Sequence, residues 1–172
     1  MKDEDRKTVR AVPDTRSFRR ALGCFPTGVT IVTTADSSGI PAGLTCNSFG
    51  SVSLEPPLIT WSLRATSRSA AVFRRARAFA VNVLAETQNP LAVRFADSSI
   101  PDKFATVPTR PGLRNIPLIE DCVAYFECVT CTELDVGDHV LFIGNVERFS
   151  YRGQDSPLVF CKGNYAVTAA WR

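Results

Sequence analysis

At 172 residues the chain is long enough to bury one proper core, and its length gives no reason to expect two. It is 45% hydrophobic and 22% charged with a net charge of +3, the composition of an ordinary globular protein and too little charge to argue for a nucleic-acid partner. No apolar run approaches the ~20 residues of a membrane span, and the first seven residues lack the apolar segment of a signal peptide, so no membrane partner and a cytoplasmic location are expected.

In chain order, residues 1–13 are charged, lack periodicity and end at Pro13, which reads as a flexible arm before a single domain over 14–172. Residues 14–23 read as a short helix, with Asp14 as its cap, Phe18, Ala21 and Leu22 at helical spacing, and Gly23 at its end. A turn over 25–28 leads into a β-branched strand at 29–34, a hairpin loop at 35–39 and a strand at 40–45. Residues 43–57 are rich in small hydroxyl and amide side chains and stop at Pro56-Pro57, so they read as a ligand-cradling loop. A strand follows at 56–63, its prolines suited to a sheet edge. Residues 67–76 read as a helix capped by Ser67, 78–84 as the clearest strand, and 88–95 as a helix with Leu91 and Phe95 on one face. The proline-rich stretch 98–117 is irregular, a functional loop or lid. Three final strands fall at 123–133, 139–149 and 157–165, with turns at Gly137-Asp138 and Arg152-Gly153. Turns this short exclude parallel crossovers, so the sheet should be antiparallel and closed into a barrel.

Six cysteines raise the question of zinc or disulfides. Cys128 and Cys131 form the only close pair, but residues three apart on a strand point to opposite faces and cannot share a metal. No metal is expected, and the thiols read as reduced, small apolar fillers. The arginine clusters 16, 19, 20 and 74, 75, 77 read as solvated helix faces.

A single histidine leaves few ways to build a nucleophile and base, which argues against a hydrolase. His139 is either a turn histidine at a strand start or a group oriented by Asp138 at a pocket rim. There is no glycine-rich dinucleotide fingerprint and no phosphate-binding P-loop. The hydroxyls and amides of Thr45, Asn47, Ser48, Ser51, Ser53, Ser62, Thr66, Ser67 and Ser69 suit either turn chemistry or the polar edge of a heteroaromatic ring, and Ser67 and Arg68 stand where a phosphate would sit at a helix start.

The ordered segments 25–34, 41–58 and 79–84, followed by Asp102-Lys103-Phe104, Gly137-Asp138-His139 and Gly163-Asn164-Tyr165, make the chain resemble the short-chain flavin reductases, the reductase components of two-component flavin-dependent monooxygenases. The likeness runs from about Phe18 to about Val167. It implies a mainly β fold with short helices, an antiparallel split β-barrel of the FMN-binding type, assembled as a homodimer. It implies FMN or FAD, and NADH or NADPH, with hydride passing from nicotinamide C4 to flavin N5 and reduced flavin leaving for a separate monooxygenase. By the same resemblance the flavin ring meets Gly43, Leu44, Thr45, Asn47 and Ser48, and its phosphate tail follows Ser62, Leu63, Arg64, Ala65, Thr66, Ser67 and Arg68. Phe95, Ala96 and Lys103 close over it. The nicotinamide nucleotide is placed near His139 and near Lys162, Gly163, Asn164 and Tyr165. Lys162 and Asn164 stand where related sequences often carry Arg and Asp, which leaves NADH and NADPH both open. The alternatives are a non-catalytic flavin-binding barrel and a flavin oxidase with its own substrate pocket in the 98–117 loop.

Overall fold

A computed structural model describes residues 14–169, so the expected arm at 1–13 lies outside the described residues. The strands in chain order are β1 (Thr27–Gly28), β2 (Thr30–Ala35), β3 (Pro41–Cys46), β4 (Gly50–Leu54), β5 (Pro57–Arg64), β6 (Ala78–Val83), β7 (Thr109–Pro111), β8 (Pro117–Ile119), β9 (Ala124–Val136), β10 (His139–Tyr151), β11 (Val159–Cys161) and β12 (Asn164–Ala166). The helices are α1 (Thr15–Leu22), α2 (Ala70–Ala76) and α3 (Asn89–Ala96).

Seven strands form one antiparallel sheet in the order β3-β2-β6-β9-β10-β5-β4. Alternation along its strands separates two cores. Val32, Phe79, Val81, Trp61 and Phe142 point to one side with Phe73 of α2, and Trp61 stacks on Phe142 at 4.7 Å. Ile31, Ala78 and Ala80 point to the other, under Phe95 of α3 and the segment 116–125. Both faces are covered, which is why β2 and β6 are buried along almost their whole length.

The expected mainly β, antiparallel fold is present, and the sheet curls without closing. Its seam lies between β3 and β5, where the Ser48 hydroxyl, rather than a backbone ladder, makes the bridge: it accepts the Ser62 N–H at 2.9 Å and donates to the Ser62 carbonyl at 3.2 Å. An open seam of this kind is consistent with a split barrel.

Several local expectations need correction. The 43–57 stretch is mostly strand, with β3 running to Cys46 and β4 beginning at Gly50, because side chains that suit a cradle also suit a twisted edge ribbon. β5 is not the edge. Pro56 sits in the tight turn from β4, Pro57 opens β5 opposite Leu54, and β4 itself is outermost. α2 starts at Ala70 after Ser69, three residues later than Ser67 suggested, because 65–69 is consumed in a turn closed by Ser67 N–H to the Arg64 carbonyl at 2.9 Å. The final strand splits into β11 and β12 around Lys162 and Gly163, both at positive φ, as a two-residue hairpin demands. The 98–117 stretch is less irregular than expected, since it contains β7 and leads into β8. Asp14 does cap α1, accepting the Arg16 N–H at 3.1 Å, but the helix buries nothing, and Phe18 and Leu22 are both more than half exposed.

Of the cysteines, Cys128 is buried and Cys131 exposed, as opposite strand faces require, and all six are free. Burial pushes the Cys122 and Cys128 thiols up to about 12, so both stay neutral packing groups. Among the described residues no cluster of metal-ligating side chains occurs.

Candidate functional site

A cleft of about 1130 Å³ opens beside the seam, where β3, the 65–69 turn, the end of α3 and the loop 98–105 converge. Its walls hold Gly43, Leu44, Thr45, Asn47, Ser48, Ser62, Leu63, Arg64, Thr66, Ser67, Arg68, Phe95, Ala96, Lys103 and His139, which come from four separate parts of the chain. The volume is at the upper end of what a nucleotide-sized ligand needs.

The side chains in it fall into two groups. Some are already committed. Thr45 Oγ1 donates to the Ala92 carbonyl of α3 at 2.6 Å, Ser48 Oγ bridges the seam, and Ser67 Oγ accepts the Ser69 N–H at 3.4 Å. These hydroxyls hold the frame. Others are open: the Asn47 amide has no partner among the described residues, and the N–H groups of Thr66 and Arg68 meet no acceptor there. Arg64 and Arg68, on either side of this turn, are exposed and line the cleft. A side-chain amide, backbone donors and two guanidinium groups lining one cleft fit a molecule with a polar ring edge and a phosphate. Thus a flavin nucleotide suits the residues present. Ser67 and Arg68 lie in a turn flanked by arginines, not at the helix start that the sequence suggested.

His139 begins β10 and pairs in register with Arg64, which carries it to the rim. Its Nδ1 lies 2.7 Å from Asp138 Oδ1, so Asp138 orients the ring, and this hydrogen bond holds the Asp138 carboxyl below its ordinary range. The Ala65 N–H donates to the Asp138 carbonyl at 3.0 Å, tying this turn to the 65–69 turn. Of the two readings, a turn histidine or an oriented rim group, the geometry agrees with both at once.

The cleft roof is aromatic. Phe104 meets Phe95 edge to face at 5.0 Å, and a Cβ built on Gly43 would come within 3.0 Å of both rings. Lys103 Nζ donates to the Phe95 carbonyl at 2.7 Å, and burial holds its ammonium below the ordinary lysine value while Asp97 opposes the shift. Asp102, Ile100 and Phe104 also line the wall.

The hairpin residues do not join this cleft within one chain. Lys162 and Gly163 line a second hollow of about 600 Å³ with Arg16, Arg19 and Arg20 of α1, held there by the Lys162 N–H to the Gly23 carbonyl at 2.7 Å. Asn164 donates to the Lys162 carbonyl at 3.3 Å, and Tyr165 packs edge to face on Phe160 at 5.5 Å. Sequence reasoning passed over Cys46, a buried thiol in the cleft wall, and Arg94, a cation in an otherwise apolar helix beside Phe95. That isolation was the one signal for Arg94.

Comparison with known proteins decides the family. Residues 22–169 match the model of the flavin reductase like domain. The chain belongs to this family. It is 41% identical over 166 residues, 92% of its length and 84% of the relative's, to the reductase subunit HsaB of a flavin-dependent monooxygenase from Rhodococcus jostii (strain RHA1). It is 43% identical over 152 residues to a probable flavin reductase of Rhizobium meliloti (strain 1021), covering 88% of this chain but only 48% of that one, so it spans about half of that relative. Its fold superposes with a TM-score of 0.87 and 35% identity on the Streptomyces globisporus C-1027 NADH:FAD oxidoreductase SgcE6 in complex with NAD and FAD fragments, covering 94% of this chain and 98% of that one. The resemblance read from the sequence motifs is therefore correct. So is the expectation of an NAD(P)H:flavin oxidoreductase using a flavin and a nicotinamide nucleotide.

Proposed function

We propose that this flavin reductase-like protein delivers reduced flavin to a separate monooxygenase, with the flavin held in the cleft beside the β3–β5 seam. The observation that carries this reading is the convergence of Asn47, the Thr66 and Arg68 N–H groups, Arg64 and His139 on one cleft from three parts of the chain. When bound, the flavin supplies the hydride-accepting ring, and the protein's own residues bind and orient. The Asn47 amide addresses the polar ring edge, while Arg64, Arg68 and the 65–69 turn take the phosphate. Phe95 and Phe104 exclude water above. His139, oriented by Asp138, presents Nε2 toward the nicotinamide nucleotide at the rim, as a positioning or proton-supplying group. HsaB is the reductase subunit of a flavin-dependent monooxygenase and SgcE6 an NADH:FAD oxidoreductase, which support the monooxygenase partner and NADH respectively.

Assembly as a homodimer accords with the surface. Phe18, Leu22 and Phe25 form an exposed apolar face about α1, and Phe149 and Tyr151 another at the end of β10. A second copy is also the way in which Lys162, Gly163, Asn164 and Tyr165 would approach the nicotinamide nucleotide. Six free thiols accord with a cytoplasmic location, and no helix among the described residues is long and apolar enough to cross a membrane.

Purified protein, mixed anaerobically with FMN or FAD and then NADH or NADPH, is expected to bleach the flavin with at least one pairing. Absence of bleaching in all four mixtures refutes the activity, and binding without bleaching supports a flavin carrier instead. His139→Ala is expected to raise the nicotinamide KM roughly tenfold, the size of one lost hydrogen bond to a charged or desolvated partner, with flavin Kd within twofold. Loss of flavin affinity with nicotinamide KM unchanged would move His139 out of this role.

A further inference from the structure

Arg94 is the only cation of α3, and it makes no ion pair among the described residues. Its guanidinium is spent instead on one turn of backbone. Nε donates to the Lys103 carbonyl at 2.7 Å, and Nη2 donates to the carbonyls of Asp102 at 3.0 Å and Ala105 at 2.9 Å. Lys103 Nζ returns a bond from the loop to the helix at the Phe95 carbonyl, 2.7 Å away. Within the loop, Asp102 Oδ1 accepts the N–H groups of Phe104 at 3.0 Å and Ala105 at 3.1 Å. The chain then turns through Thr106 at φ +63°, a conformation that a β-branched residue adopts only under constraint. The loop thus turns its carbonyls to Arg94 and presents Asp102, Lys103 and Phe104 to the cleft.

Resting on the flavin reading above, we infer that Arg94 is a positioning residue that holds the Asp102–Ala105 wall shut over the flavin and so sets flavin retention, without taking part in hydride transfer. It touches neither cleft space nor the rim. Three carbonyls fanned around one planar fork also make the position specific for arginine, because a lysine ammonium on a shorter, non-planar head cannot reach all three together.

Arg94→Lys and Arg94→Gln are the variants, read by quenching of FMN and FAD fluorescence and by steady-state kinetics. Both are expected to raise the flavin Kd and KM roughly tenfold or more while kcat at saturating flavin stays within twofold, and lysine should recover only a small part of the loss. Unchanged flavin affinity in a folded variant overturns the inference, as does a fall in kcat with unchanged flavin KM. Full recovery by lysine overturns the arginine specificity. Amide exchange on the unsubstituted protein tests the same wall without a variant: FMN or FAD should slow exchange at Phe104 and Ala105, and equal rates with and without flavin overturn it. If the unsubstituted protein quenches neither flavin, the flavin reading itself fails, an outcome distinct from a binding protein whose Arg94 variants bind equally well.

Discussion

Gly43→Val is expected to weaken flavin binding by roughly tenfold to a hundredfold, the equivalent of about 1–3 kcal/mol of overpacking. Gly43 is buried in β3 directly beneath the cleft roof. A Cβ there would already stand 3.0 Å from Phe104 Cζ and from Phe95 Cε1, tighter than normal van der Waals contact. Phe95 is fully buried against the sheet and cannot retreat, so the two further methyl carbons of valine must drive Phe104 outward and with it the 102–105 wall. The check is a double-mutant cycle with Phe104→Ala measured by flavin fluorescence. Removing the ring should return much of the affinity lost to valine, giving a coupling energy of about 1 kcal/mol or more. Strict additivity would show that the two residues do not meet in the way described.

Gly144→Ala is expected to lower stability by about 3 kcal/mol, the upper part of the overpacking range, and the melting temperature by roughly 6–12 °C. Gly144 lies on β10 where the pairing with β9 shifts register, so Ile143 faces Thr132 while Gly144 faces Thr130. A Cβ on it would lie 2.9 Å from Phe79 Cε1, closer still to Cζ, and 3.0 Å from Cys128 Cβ. Phe79 is 1% exposed and set edge-on to Trp61 at 5.5 Å, so its ring has nowhere to move without disturbing the inner core. Thermal and urea unfolding measure the effect, and a midpoint equal to that of the unsubstituted protein would show that the inner core has slack there. His139 begins the same strand, so a loss of nicotinamide affinity is expected to accompany the loss of stability.

Much of the molecule was legible because local chemistry and tertiary environment agree. Asp14 as a cap, Leu91 with Phe95 on one helix face, the apolar run 78–84 and the turn at Gly137-Asp138 each state their structure within a few residues. The ordered motifs from Phe25 to Tyr165 likewise carried the family, since their spacing is a property of the sequence alone. The stretch 43–57 was misread because serine, threonine and asparagine serve equally in turns, at edges and against ligands. The pairing of β4 with β5 resolves that ambiguity, and it depends on residues up to ten positions away.

What the sequence by itself determined was an antiparallel β protein of the flavin reductase-like family, together with many of the residues that line its cleft. Only the tertiary structure decided which of those residues remain free to bind. Thr45 and Ser48 spend their hydroxyls on α3 and on the seam, whereas Asn47, in the bend after β3, meets no partner among the described residues, because the groups each side chain meets come from other parts of the fold. The same holds for Lys162 and His139, both carried by the family motifs yet placed at separate hollows of one chain, because the distance between two side chains is set by how the strands fold back on one another and not by their separation in the sequence.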